Sequence, residues 1–184
     1  LGVAFTDSDD FTFGTGSGDP DTSFSVSMWI NSTDLSTSAV VFQKLNEYKI
    51  TISSYAIIVQ LGEASTDYVR STSPVTALSG LQRSWINIVV TYTADATAAD
   101  NGAGSDIKIY VNGSEITSLT ASSDGTYAGM IGTGNTLQVA PAGSNTWETA
   151  LWSGRVLTST EVQALYDAAN GLADDSIKSR EYRT

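Results

Sequence analysis

The stretch SWINIVVTYTADATAADNGAGSDIKIYVNGSEIT, residues 84–117, sets two alternating apolar runs on either side of an acidic insert rich in Gly and Ala. Ile86, Ile88, Val90 and Tyr92 recur at every second position of the first run, and Ile107, Ile109 and Val111 do so in the second. A period of two puts such side chains on one face, so each run reads as a half-buried β-strand. Asn112-Gly113 ends the second run and predicts a two-residue type I′ hairpin, because both positions tolerate a positive φ. The insert carries Asp95, Asp100, Asn101 and Asp106, which could either ligate a cation or simply solvate a connection between paired strands.

The same period extends outward from this stretch. FSVSMWIN places Phe24, Val26, Met28 and Ile30 on one face and Ser25, Ser27, Trp29 and Asn31 on the other. AVVFQK, YKITIS, YAIIVQL, DYVRS, TLQVA and TALW are further short segments, separated by Ser, Thr, Gly, Asp and Asn clusters. Many short strands with turn signals between them predict an antiparallel sandwich. One helix is expected near the C-terminus. Thr158 and Glu161 form a capping box, Val162, Leu165, Tyr166 and Ala169 form an apolar stripe, and Gly171 is a C′ stop. The tail after residue 172 is charged and unpatterned, which gives a domain over 1–172 and an arm or linker over 173–184.

The chain has 184 residues, suited to one domain. It contains no Cys and no His, which excludes disulfides, thiolate zinc sites, His metal sites and His-based catalytic triads. A net charge of −11 repels phosphate backbones and anionic lipid, so nucleic acid is not an expected partner. No apolar run approaches the ~18 residues of a spanning helix, so no membrane insertion is expected. The sequence opens on Leu1 rather than a methionine, as a processed product or a piece of a longer chain would.

Four of these segments, in this order, resemble a laminin-G-like domain of the concanavalin A-like jelly-roll class, in its bacterial and viral branch. FSVSMWIN is similar to the family's early strand, SWINIVVTYTAD to its WxHVAxTYD strand, DIKIYVNGSEI to its LKLYVDG hairpin, and WETALWSGRVLTSTEVQALY to its closing strand and helix. The implied fold is all-β, a two-sheet antiparallel jelly roll with one short C-terminal helix. Asn87 stands where the family commonly has His, Asn112 where it often has Asp, and Trp147 where it has the Asp of an Asp-Glu pair, leaving Glu148.

The resemblance also frames the chemistry. Glycoside hydrolases of this class cluster carboxylates as Glu-x-Asp-x-x-Glu on one strand, because a retaining mechanism needs two carboxylates about 5–5.5 Å apart. Glu47, Glu63, Glu115, Glu148 and Glu161 are scattered instead, so no enzyme is expected. The resemblance implies a Ca²⁺ ion at a sandwich edge, with Asp95, Asp106 and Glu148 as candidate ligands. For any single acidic cluster the preferred reading is turn formers and solvated loop charges. A glycan site would use aromatic faces, and Tyr127, Trp147, Tyr55 and Trp29 are the candidates. Trp29 and Trp85 also read as scaffold residues packed under loops, and Trp152 and Tyr166 as packing between sheet and helix. The implied role is a non-catalytic recognition or adhesion module on an extracellular, cell or virion surface, with a glycan or surface protein as partner. The alternative is a structural virion protein, a phage decoration or fibre domain whose partners are neighbouring subunits.

Overall fold

The computed structural model describes residues 3–6, 9–14, 21–62, 68–94, 106–124, 127, 129–139 and 145–169. In chain order the strands are β1 (Val3–Phe5), β2 (Phe24–Asn31), β3 (Ala39–Lys44), β4 (Tyr48–Ser53), β5 (Ala56–Gly62) and β6 (Tyr68–Thr72). They continue as β7 (Ile86–Tyr92), β8 (Ile107–Val111), β9 (Ser114–Glu115), β10 (Thr120–Asp124), β11 (Leu137–Val139) and β12 (Asn145–Ser153). A helix, α1, covers 159–169. The strands form a seven-stranded sheet, β1-β11-β3-β4-β5-β6-β10, and a five-stranded sheet, β12-β2-β7-β8-β9. Every pairing is antiparallel. The two-sheet, all-β architecture with one short helix is the one the alternation predicts.

The period of two decides which face each strand buries. Phe24, Val26, Met28 and Ile30 of β2, Ile86, Ile88, Val90 and Tyr92 of β7, and Ile107, Ile109 and Val111 of β8 all enter the inter-sheet core. From the seven-stranded sheet the core receives Phe42, Tyr48, Ile50, Ile52, Ile57, Val59, Leu61 and Val69. The intervening residues of the five-stranded sheet point away and receive α1. Val89 and Tyr110 pack with Leu157 and Val162 as a second, smaller cluster. Ser25 Oγ accepts the Leu157 N–H at 2.9 Å and donates to the Arg155 carbonyl at 2.9 Å, which anchors the approach to the helix.

The capping box forms as expected. Thr158 N–H donates to Glu161 Oε2 at 2.8 Å, and Glu161 N–H donates to Thr158 Oγ1 at 3.3 Å. The hairpin turn is also as expected, with φ of 49° at Asn112 and 81° at Gly113, and Val111 paired to Ser114. Asn112 does a second job, since its Oδ1 accepts the Asn87 N–H at 2.9 Å. Asn87 is fully buried, and its Nδ2 donates to Ser27 Oγ at 3.3 Å.

Three strands depart from the sequence reading. β1 and residues 120–123 of β10 are exposed edge segments, and a strand that buries neither face has no apolar period to betray it. β12 begins four residues before TALW, and its register against β2 shifts between Trp147 and Ala150. Glu148 sits in that bulge with φ 44°. The bulge breaks the alternation and so hides the strand's first half.

Glu47 closes one end of the sandwich. It lies in the β3–β4 loop, fully buried, with Oε2 at 3.2 Å from the buried Lys44 Nζ. Its Oε1 accepts the N–H groups of Phe13 at 2.5 Å and Gly14 at 3.2 Å, and Lys44 Nζ also donates to Thr12 Oγ1. One carboxylate thereby holds the 9–14 segment against the hairpin, with Phe13 stacked on Phe24 at 4.6 Å. Removing one partner of a buried pair leaves an uncompensated charge, which costs roughly 3–5 kcal/mol. Glu47→Ala is therefore expected to lose about that much unfolding free energy in urea denaturation. A loss below about 1 kcal/mol would show that the end of the sandwich closes without it.

Candidate functional site

The residues singled out from sequence are dispersed. Trp29 is 6% exposed and stacks on Tyr166 of α1, ring centroids 5.8 Å apart and 14° from parallel. It is helix-packing scaffold, and a ligand has no access to its face. Trp152 and Tyr166 fill the sheet–helix layer as expected. Trp85, by contrast, is 44% exposed, which corrects its reading as a residue packed under a loop.

Tyr55 sits at φ 64° in the β4–β5 turn, its N–H donating to the Leu35 carbonyl at 2.9 Å and its carbonyl accepting from Leu78 N–H at 3.0 Å. Its ring is partly buried against the core. The Trp147 backbone pairs with Trp29, and its side chain lies outside the described residues.

Tyr127 is likewise structural. Its hydroxyl donates to Asp21 Oδ2 at 2.9 Å, the Tyr92 hydroxyl does the same at 2.9 Å, and Met130 N–H donates to Asp21 Oδ1 at 2.7 Å. Burial pushes the Asp21 carboxyl above its ordinary value, against these three hydrogen bonds, which favour the anion. Burial and the neighbouring carboxylate push both phenols far above the usual tyrosine range.

The proposed calcium ligands do not converge. Asp95 lies outside the described residues. Asp106 precedes β8 beside Thr93, at the Phe24 end of β2, whereas Glu148 lies by Trp29 at the other end. Three strand spacings and about four residues along a strand separate them, on the order of 15–20 Å, too far to share one ion. Among the described residues no group of three or more acidic side chains could hold a metal.

What the fold does assemble is a row that sequence reading missed. The outward residues Gln138, Gln43, Lys49, Gln60, Arg70 and Ser122 are in register across β11, β3, β4, β5, β6 and β10. Beside it runs a second row, Thr51, Ile58, Thr72 and Thr120. The row is organised by its own contacts. Gln43 Nε2 donates to Gln138 Oε1 at 2.6 Å, and an Arg70 Nη donates to Gln60 Oε1 at 2.8 Å. The Arg70 guanidinium lies 4.6 Å from the Tyr68 ring centroid, in cation–π range.

Burial and the Arg70 charge push the Lys49 ammonium below its ordinary value. A depression of about 150 Å³ opens among Gln43, Asn46, Lys49 and Gln60. No described helix covers this face, in contrast to the outer face of the other sheet. The alternation in YKITIS and AIIVQLG could have shown these residues pointing outward, but only the strand register aligns them.

A larger groove, about 450 Å³, lies where the edge strands β1 and β12 leave the sheets unzipped. Val3, Phe5, Phe42, Leu137 and Leu151 wall it, with Glu148 on its lining. It carries the apolar core to the surface, with Thr146, Glu148 and Thr149 as its polar lining. The row across the seven-stranded sheet presents more polar groups, ordered by the Gln43–Gln138 and Arg70–Gln60 hydrogen bonds, and is the better candidate for a polar ligand despite its smaller depression.

Residues 5–163 match the laminin-G-like model described as the concanavalin A-like lectin/glucanases superfamily. The chain belongs to this superfamily. No curated protein sequence matches it. Among solved structures it is similar to the binding domain of botulinum neurotoxin DC in complex with rat synaptotagmin II, at 17% identity and a TM-score of 0.55, over 80% of this chain. It is also similar to a botulinum neurotoxin type C structure described by that toxin's dependence for cell entry on two ganglioside molecules, at 16% identity and a TM-score of 0.54, over 91% of this chain. This chain spans 36% and 39% of those two chains. The likeness is one of fold.

Asp21 provides a test of the tyrosine network. A carboxyl whose folded pKa is raised contributes stability that is present below its unfolded value, 3.8, and lost as pH rises through the folded value. The unfolding free energy of the protein relative to its Asp21→Asn variant is therefore expected to fall as pH rises from about 3 toward 7. A difference that is flat or grows over that range would show that the carboxyl is not held above its ordinary value.

Proposed function

We propose that this superfamily member is a non-catalytic recognition module, displayed outside the cell, that binds a glycan or a protein on the outer face of its seven-stranded sheet. The observation that carries the reading is the in-register row of amides and cations on a face that no described helix covers. Half-buried amides held by one another present fixed donors and acceptors, the means by which a shallow polar site recognises hydroxyl groups. After their mutual bond, Gln43 keeps its Oε1 as an acceptor and Gln138 its Nε2 as a donor.

The same face argues against hydrolysis. Its outward residues on β3 to β6 include Gln43, Lys49, Thr51, Ile58, Gln60, Tyr68, Arg70 and Thr72, and no carboxylate. A glycosidase would need two there. Elsewhere, Glu47 is committed to Lys44, Glu115 lies 3.6 Å from Lys108, and Glu161 caps α1. The binding partners of the structurally similar toxin domains, a protein and a ganglioside, are consistent with this class of role without fixing the ligand.

Screening the chain against a glycan array and a panel of cell-surface proteins, with calcium and with EDTA, tests the proposal. A specific hit is expected whose affinity falls about five- to tenfold in Gln43→Ala and Gln138→Ala, with an unchanged melting temperature, the loss appropriate to a hydrogen bond or two. A hit indifferent to both substitutions, or no hit in either buffer, would overturn it.

A further inference from the structure

The chain has 9 Lys and Arg against 20 Asp and Glu, so an unpaired cation is a scarce feature of its surface. Lys44, Lys108 and Arg155 each pair with a carboxylate, Glu47, Glu115 and Glu161 respectively. Among the described residues Lys49, Arg70 and Arg83 have no such carboxylate partner, and of these three Lys49 and Arg70 share one sheet face. They flank Gln60 in one row, two strand spacings or about 10 Å apart at their Cα atoms.

Arg70 is oriented without being neutralised. Gln60, only 2% exposed, accepts one of its hydrogens, Tyr68 underlies its plane, and its Nε makes no hydrogen bond. Burial, and after it the neighbouring Arg70 charge, hold the Lys49 ammonium below its ordinary value. Two cations held together on one face of a strongly acidic protein are stabilised by an anion placed between them.

We propose that Lys49 and Arg70 form an acid-reading subsite that holds the carboxylate of an acidic sugar, with Gln60 and Tyr68 as positioning residues and the Gln43–Gln138 pair meeting neighbouring hydroxyls. The inference rests on the recognition reading above and names its ligand class. The depression of about 150 Å³ is lined by Lys49 and Gln60 and not by Arg70, which reaches it from across Gln60; it suits a single charged substituent, being smaller than the ~300–1,000 Å³ of sites that enclose whole small molecules. Arg70 suits a planar carboxylate, because its fixed fork matches that geometry. Sialic acids and uronic acids share this chemistry.

Isothermal titration with sialyllactose, a galacturonic acid trisaccharide and neutral lactose tests the subsite. At least one acidic sugar is expected to bind about tenfold or more tightly than lactose, and the stronger of the two identifies the source. Lys49→Gln and Arg70→Gln are each expected to lower that affinity about five- to tenfold while leaving the melting temperature and any lactose affinity unchanged. Raising the salt from 0.05 to 0.5 M, roughly a threefold shorter screening length, is expected to weaken the acidic sugar selectively. Equal affinity for lactose, indifference to both substitutions, or no binding of either acidic sugar overturns the inference. If a neutral glycan or a protein still binds through Gln43 and Gln138, the recognition reading stands without it.

Discussion

Every strand has two faces, and the rest of this structure depends on how strictly the sequence keeps them apart. In β2, β7 and β8 the inward positions are filled by Phe, Val, Met, Ile and Tyr, almost without interruption. A slip of one residue would exchange the faces, expelling that set and burying Ser25, Ser27 and Asn87 against the opposite sheet. Fixing the inward face fixes the outward one as well. On the five-stranded sheet the outward residues include Ser25, which anchors the chain before α1, and Val89 and Tyr110, which pack beneath it. On the seven-stranded sheet they include the long polar side chains of Gln43, Lys49, Gln60, Arg70 and Gln138, and no described helix lies over them.

That asymmetry separates scaffold from candidate site. The residues whose chemistry looks most conspicuous in the sequence serve the scaffold. Glu47 and Lys44 close one end, while Asp21 gathers Tyr92, Tyr127 and Met130. Asn112 combines a left-handed turn with a hydrogen bond to Asn87. Each would be costly to leave unpaired, and each is paired within the fold. On the outer face of β4 to β6, by contrast, Arg70 Nε makes no hydrogen bond, and no carboxylate among the described residues pairs with Lys49 or Arg70.

Much of the fold was legible. The alternation around residues 84–117, the Asn112-Gly113 turn and the Thr158–Glu161 cap are local patterns with one structural meaning each. β1 and β10 were not legible, because an exposed edge strand has no buried face to imprint a period. The bulge at Glu148 hid the beginning of β12 for a related reason. The candidate site was the least legible part. Tyr127, Tyr55 and Trp29 looked like ligand-facing aromatics beside polar loops, yet burial depends on which strands pair, and pairing is long-range. Gln138 and Gln43 are far apart in sequence and meet only because β11 returns to lie beside β3. Asp106 and Glu148 show the converse, two acidic residues suggested as partners that the strand order holds apart.

The claim that the outer face of the seven-stranded sheet is where a partner binds is tested most directly by mapping backbone and side-chain amide chemical shifts by NMR, with and without the bound glycan or protein. Shifts concentrated at Gln43, Lys49, Gln60, Arg70 and Gln138 are expected, with the residues under α1 unmoved. Shifts clustered instead around Phe5 and Leu151 in the edge groove, or around the exposed Trp85, with the polar row unmoved, would contradict it.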